Sequence, residues 1–348
     1  MRVGLVCPYD MGIPGGVQDQ VLRLSRWVRE AGHDVVVIGP GECDVPGFVS
    51  AGPTTVVPAN GAATPVALSR YASSRLLAGL ADVDVAHVHE PLMPQVSLTA
   101  LRKATVPMVG TFHADVSVAA EWVYRLGRPA TSRWFRRLKV ITAVSPIAAR
   151  VIAATKRVRI IPNGIDHDAY APVAKVPGSV AFLGRNDRRK GLPVLLEAWT
   201  AIKTAYPAAT LTVIGSTDTV DMAGVRFVGR VSEEEKRRHL AESSVFVAPN
   251  ISGESFGIVV VEAMAAGCAL VASGLPAFVR VAGDTARFVA AGDADGLGKE
   301  VVALLGNEAM ARSLGERARA ASARFGREAV AAAYLGAYED ALAKEGTI

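Results

Sequence analysis

The chain has 348 residues, half of them apolar and a fifth charged, with a formal net charge of +5. That length allows two domains of ordinary size, and the balance excludes a disordered chain and favours a soluble α/β protein with a large buried core. The charge is uneven: residues 1–164 hold 18 basic and 11 acidic side chains, the remainder 20 and 22, so the first half suits an anionic partner, phospholipid or nucleic acid, unless its arginines are simply solvated.

In chain order, short β-branched runs alternate with helical patterns. Strands are predicted at 2–7, 34–39, 84–88, 107–112 and 139–144; after a linker near 160–177 a second series follows at 179–184, 209–215, 225–229, 245–248 and 268–272. Such alternation gives βαβ units and a parallel sheet, and two series imply two doubly wound domains. Val17, Val21, Leu24, Val28 and Ala31 form the apolar stripe of a first helix that Gly32 ends. Helices are also predicted at 193–205, 308–324 and 327–345, the last with apolar positions at Val330, Tyr334 and Leu342. The chain opens on a strand pattern rather than a leader. Its longest weakly charged run, 263–279, is broken by Gly267, Ser273, Gly274 and Pro276 and is shorter than a membrane span. Cys7, Cys43 and Cys268 form neither a C-x-x-C pair nor an even set. A reducing, cytoplasmic compartment is expected.

Three constellations carry chemistry. Pro14-Gly15-Gly16-Val17 joins the first strand to the first helix; two glycines and a helix tip make either a phosphate site or a bare turn, and the loop lacks the G-x-G-x-x-G pattern of dinucleotide sites. Gly184-Arg-Asn-Asp-Arg-Arg-Lys-Gly191 follows the first strand of the second series, so Arg185, Arg189 and Lys190 lie where α/β sheets bind ligands. Cations there neutralise a diphosphate without a metal; otherwise the turn is merely solvated. The run from Gly253 to Met264 places Glu254 in a loop at a helix start and Glu262 about two turns into an apolar helix. A carboxylate there needs a partner, either sugar and ribose hydroxyls or a structural cation.

Several features are weaker. Asp82-Val83-Asp84 precedes a strand, unlike a metal-binding D-x-D, and Asp293-Ala-Asp295 reads as a loop. His87 and His89 alternate on a strand, with Glu90 the sole matching third ligand for a metal, so no metal site is expected. Of the six histidines, His113, in Thr-Phe-His at a strand's carboxyl end, carries a catalytic hypothesis.

Together the G-G-V loop, the G-R…R-K-G loop and the E-x7-E spacing, in that order along the whole chain, resemble the family-4 retaining glycosyltransferases of the GT-B fold. Within that family the resemblance is to the phosphatidylinositol mannosyltransferases, which use GDP-mannose. It is carried by residues 1–9, Pro14 to Gln18, His89-Glu-Pro91, Thr111-Phe-His113, Pro162-Asn-Gly-Ile-Asp166 and 253–264. It implies an acceptor-binding domain at 1–164, joined by a C-terminal helix at 327–348, and a donor-binding domain at 165–326, the two Rossmann-like domains facing across a cleft. It implies hexose transfer from a nucleotide diphosphate sugar to a phosphatidylinositol-type lipid at the inner membrane face, with no cofactor, metal or nucleic acid. His113, Glu254, Arg185 and Lys190 would be catalytic. Gly15, Gly16, Arg189, Val231, Lys236, Ser255, Phe256, Gly257, Ile258 and Glu262 would bind the donor, Val231 and Lys236 near the guanine. Tyr9 and Asn60 would face the inositol.

The acceptor side departs from the pattern. Val118 stands where a lysine grips the inositol phosphate, Ala59 and Pro65 replace a tyrosine and an arginine, Gly12 replaces an aspartate, and the lysine-rich helix is reduced to Arg70–Arg75. A soluble or different lipid acceptor is therefore the competing expectation, and a sugar-nucleotide epimerase the reading from another class. The 102–139 stretch carries eight cations with Trp122, Tyr124, Trp134 and Phe135 interleaved, which suits a lipid interface or core aromatics on solvated helices.

Overall fold

The computed structural model describes residues 1–59, 62–67, 71–114, 128–150, 152, 157–218 and 220–343. Two compact units emerge: Met1–Gly164 with Arg327–Ile348, and Ile165–Gly326.

The first unit is built on a seven-stranded sheet in the order β3-β2-β1-β6-β7-β8-β9. Its strands are β1 (Arg2–Val6), β2 (Asp34–Gly39), β3 (Phe48–Ser50), β6 (Val85–His89), β7 (Met108–Phe112), β8 (Leu138–Ala143) and β9 (Val158–Ile160). All pairings are parallel. A separate antiparallel pair, β4 (Thr54–Ala59) and β5 (Ala62–Ala67), lies outside this sheet. The central strands are apolar on both faces because helices cover both. Helix Gly16–Glu30 buries Val21, Leu24, Trp27 and Val28. Ala31, predicted on this stripe, is exposed, since the helix stops at Glu30 and the large Trp27 covers the sheet instead. The final helix, Arg327–Leu342, buries Val330, Tyr334, Ala337, Tyr338 and Ala341 in the same core. Leu342 is exposed, because the buried stripe steps from 334 to 338 and 341 and leaves 342 off the face.

The second unit has a six-stranded parallel sheet, β12-β11-β10-β13-β14-β15. Its strands are β10 (Val176–Leu183), β11 (Thr210–Ile214), β12 (Val225–Gly229), β13 (Ser243–Ala248), β14 (Ala269–Ser273) and β15 (Ala286–Val289). Helices Leu192–Ala205 and Ala294–Leu305 pack Trp199, Ile202, Leu297 and Val301 against it.

Both sheets reverse direction once. The chain runs outward from β1 to β3 and then from β6 to β9; in the second unit it runs from β10 to β12 and then from β13 to β15. In such sheets ligands bind beyond the carboxyl ends of the strands flanking the reversal. Those ends are the loops after β1, β6, β10 and β13. Among the described residues no helix is long and apolar enough to cross a membrane.

Candidate active site

In the second unit the loop after β10 meets the loop after β13. The strand hands over at Gly184, a 3-10 turn spans Arg188–Lys190, and Gly191 starts the next helix. Gly191 has φ +71°, and a Cβ there would lie 1.8 Å from the Pro249 carbonyl oxygen, so only glycine lets the two loops approach this closely. Lys190 Nζ reaches Glu254 Oε2 at 2.9 Å; Asn250 Nδ2 donates to the same oxygen at 3.2 Å, and Gly257 N–H donates to Oε1 at 3.1 Å. Glu254 is thus turned inward, its side chain 12% exposed. Arg189 is gripped by Asp187 at 2.7 and 3.1 Å, and this bond draws the Asp187 carboxyl down to about 2. Arg185 is exposed at the mouth of the loop.

The same unit holds a second ion pair. Lys236 Nζ bonds Glu262 Oε1 at 2.7 Å and Glu233 Oε1 at 2.8 Å. Burial works against the ammonium, but the two carboxylates outweigh it and raise its pKa. Glu262 lies five residues into helix Ile258–Ala265, hence just over one turn and not the two predicted. The helix starts late because Gly257, at φ +96°, breaks the backbone before it. Ser255 and Ile258 are half-buried, as is Val231 beside the capping box of Ser232 and Glu235. The Phe256 ring is buried edge-on against Phe325 at 5.7 Å.

In the first unit, the loop after β1 carries Tyr9, Gly15 and Gly16. Gly15 caps helix Gly16–Glu30 with no side-chain bond, so first-turn N–H groups have no capping side chain. A Cβ on Gly15 would strike Gln18 Oε1 at 2.5 Å, whereas one on Gly16 would meet nothing within 4 Å. The Gln18 atoms are the far end of a flexible side chain, so packing demands neither glycine. Tyr9 is half-buried against the core. Asn60, Val118, Arg70, Trp122 and Tyr124 lie outside the described residues.

His113 follows β7 and is 5% exposed. Its Nε2 lies 2.8 Å from His89 Nδ1. Burial lowers its pKa to about 4, despite Asn163 favouring the charged form, so the ring is neutral at pH 7. Asn163 faces the ring, yet neither its Oδ1 nor His113 Nδ1 makes a well-formed hydrogen bond. His87 bonds Thr111 Oγ1 at 2.6 Å and the Tyr338 hydroxyl at 2.9 Å. It stacks on His89 at 4.1 Å. Among the described residues no group of three or more His, Cys, Asp or Glu side chains is placed to hold a metal ion. Asp84, of the D-x-D decoy, accepts the Arg2 N–H at 2.6 Å.

Residue-level reading missed His89, Glu90, Asn163 and Asn250 as parts of the site. The signal available was position: Glu90 and Asn250 follow strands that flank the two reversals.

Residues 14–169 match the model described as Glycosyltransferase Family 4, and residues 177–307 that described as Glycosyl transferases group 1. The phosphatidyl-myo-inositol mannosyltransferase of Mycolicibacterium smegmatis is 36% identical, over 97% of this chain and 94% of that protein. The protein of the same name from Propionibacterium freudenreichii is 37% identical, over 91% and 87%. Among solved structures, HepE of Anabaena in complex with UDP and glucose superposes with a TM-score of 0.76 at 16% identity, covering 97% of this chain and 99% of that one. With two Rossmann-like units and near full-length relatives at this identity, the chain belongs to the family-4 glycosyltransferases and is a glycosyltransferase of the GT-B fold.

Proposed function

We propose that the protein is a retaining, metal-independent mannosyltransferase that uses GDP-mannose and acts on a phosphatidylinositol-type lipid at the cytoplasmic face of a membrane, where it binds peripherally. The carrying observation is the paired Lys190 and Glu254 at the sheet reversal of the second unit. A diphosphate competes with the carboxylate for Lys190. Once it wins, Glu254 Oε2 is released to accept hexose hydroxyls, while Oε1 stays held by Gly257 N–H. The site thus trades an internal ion pair for two ligand contacts, and neither charge is left buried alone.

As the glycosidic bond to the leaving group lengthens, negative charge builds on the β-phosphate. Arg185, Lys190 and the uncapped helix tip at Gly16 stabilise it. The anomeric carbon becomes oxocarbenium-like, the acceptor hydroxyl attacks from the face being vacated, and the departing phosphate takes its proton. His113, neutral, hydrogen-bonds the hexose. Glu262 accepts from the ribose, and Lys236 meets the guanine by exchanging its exposed partner Glu233. Support for mannose and for the lipid comes from the names of the near full-length relatives.

The substitutions at Val118, Ala59 and Pro65 favour a second reading, in which the same donor serves a soluble acceptor or another lipid. Incubation of labelled GDP-mannose with phosphatidylinositol vesicles and, separately, with a panel of soluble sugars separates the two: mannosylated lipid is the expected product, and product only on a sugar overturns the acceptor. A melting-temperature screen with GDP, UDP and ADP tests the base, since a ligand of the folded state raises the midpoint. A response to UDP alone would remove GDP-mannose.

A further inference from the structure

We propose that His89 and Glu90 are positioning residues for His113, holding its ring in the tautomer that carries its proton on Nδ1, toward Asn163; this rests on the sugar-transfer reading above. Glu90 directly follows β6 in a conformation rare for a residue with a side chain, φ +47°. Such a backbone is strained and persists where its surroundings enforce it. The carboxyl is buried, and a single oxygen, Oε1, accepts two successive backbone N–H groups, from His113 at 2.7 Å and Ala114 at 2.8 Å. Glu90's own N–H donates to Thr111 O at 2.8 Å. A buried carboxyl is a costly way to satisfy two amides. What it achieves is to fix the backbone on both sides of the His113 side chain.

The neighbouring residue fixes the ring. His89 Nδ1 and His113 Nε2 share one proton across 2.8 Å, with the rings 24° from parallel. His89 is held in turn by its stack on His87 and by its carbonyl, which accepts from Ser97 Oγ at 2.6 Å. Two proton arrangements exist. If His113 donates from Nε2, His89 must carry its other proton on Nε2, which has no partner among the described residues. If His89 donates from Nδ1, His113 carries its proton on Nδ1, facing Asn163, and the unpartnered His89 Nε2 is merely a bare lone pair. Each arrangement leaves one buried N–H without a well-formed bond, but only in the second does that N–H face a polar side chain, Asn163, so the second is assigned. Burial, which lowers the His113 pKa to about 4, keeps that tautomer uncharged.

The test uses the full-length protein. Glu90→Ala is expected to lower kcat roughly 100-fold, the penalty of a displaced catalytic group, with the donor KM little changed. Glu90→Gln, whose amide oxygen can accept the same two N–H groups, recovers to within about tenfold of the parent on the same argument. Glu90→Asp, too short to reach both amides, stays slow and keeps the assay decisive should the alanine variant not fold. His89→Leu behaves like Glu90→Ala, and His89→Asn, which keeps a donor near the Nδ1 position, is partly restored. Equal losses in the glutamine and alanine variants, or an effect confined to KM, overturns the assignment. A second arm needs no turnover: ¹⁵N imidazole shifts of His113 at neutral pH are expected to show Nδ1 protonated in the parent and a mixture in Glu90→Asp. Protonation at Nε2 in the parent overturns the proposal whatever the enzyme transfers, whereas absence of sugar transfer with this tautomer intact refutes the activity and spares the geometry.

Discussion

Lys190 and Arg185 differ in what surrounds them. Lys190 is already neutralised by Glu254, and Arg185 stands exposed at the same loop. Removing both charges while keeping a donor to Glu254, as in Arg185→Ala with Lys190→Gln, is expected to cut kcat/KM about 1,000-fold or more. The melting temperature should fall little, so a variant that turns over normally would remove the electrostatic argument. The buried histidines make a separate, pH-dependent prediction. Burial pushes His87 down to about 3, His113 down to about 4 and His89 well below 6.5, so the unfolded chain binds their protons first as pH falls from 6.5. Glu90, raised by burial to about 7, works in the opposite sense, keeping a proton that the unfolded chain has released above 4.5. Three against one leaves folding stability falling on acidification between pH 6.5 and 4.5, by at most about 3 kcal/mol per pH unit. Urea titrations at the two ends of that window check it; equal midpoints would contradict it, and Glu90→Gln should steepen the loss. At this scale the sequence disclosed residue types and their order. It did not disclose that Glu254 and Glu262 each already hold a lysine, because Lys190 and Lys236 lie 64 and 26 positions away.

Central strands were legible, and of the four edge strands only β12, predicted at 225–229, was. β3 and β9 close the seven-stranded sheet and β15 one edge of the other; each is three or four residues long and mostly half-buried or exposed. Without a buried apolar run they leave no periodic signal. The β4–β5 pair was hidden by Pro58 and Pro65, residues that argue against a strand unless it has a free edge. The final helix shows the converse, since its apolar spacing was plain but its polar contact was not. Tyr338 reaches across to His87 at 2.9 Å from 251 residues away. Tyr338→Phe leaves the Nδ1 atom of a fully buried imidazole unsatisfied and is expected to cost about 1–3 kcal/mol. The urea midpoint should drop with an unchanged m-value; no shift would mean that this bond holds nothing.

For the molecule as a whole, charge and connectivity divide along the same boundary. The surplus of cations belongs to residues 1–164, and in the described part of the 102–139 stretch Arg102 and Arg133 lie over the Trp134 ring at 5.2 and 5.4 Å. Adsorption to phosphatidylinositol-containing vesicles is therefore expected at roughly 50 mM salt and largely lost at roughly 500 mM, as screening shortens the reach of exposed charge; co-sedimentation insensitive to salt would point to apolar insertion instead. The order in which the ribosome delivers the chain adds a constraint of its own. The second unit is one continuous segment, complete at Gly326, whereas the first is built from two pieces and lacks Val330, Tyr334 and Tyr338 until residues 327–342 emerge. Residues 1–164 are therefore expected to keep Trp27 uncovered until after residues 165–326 have been made, and to complete their core second.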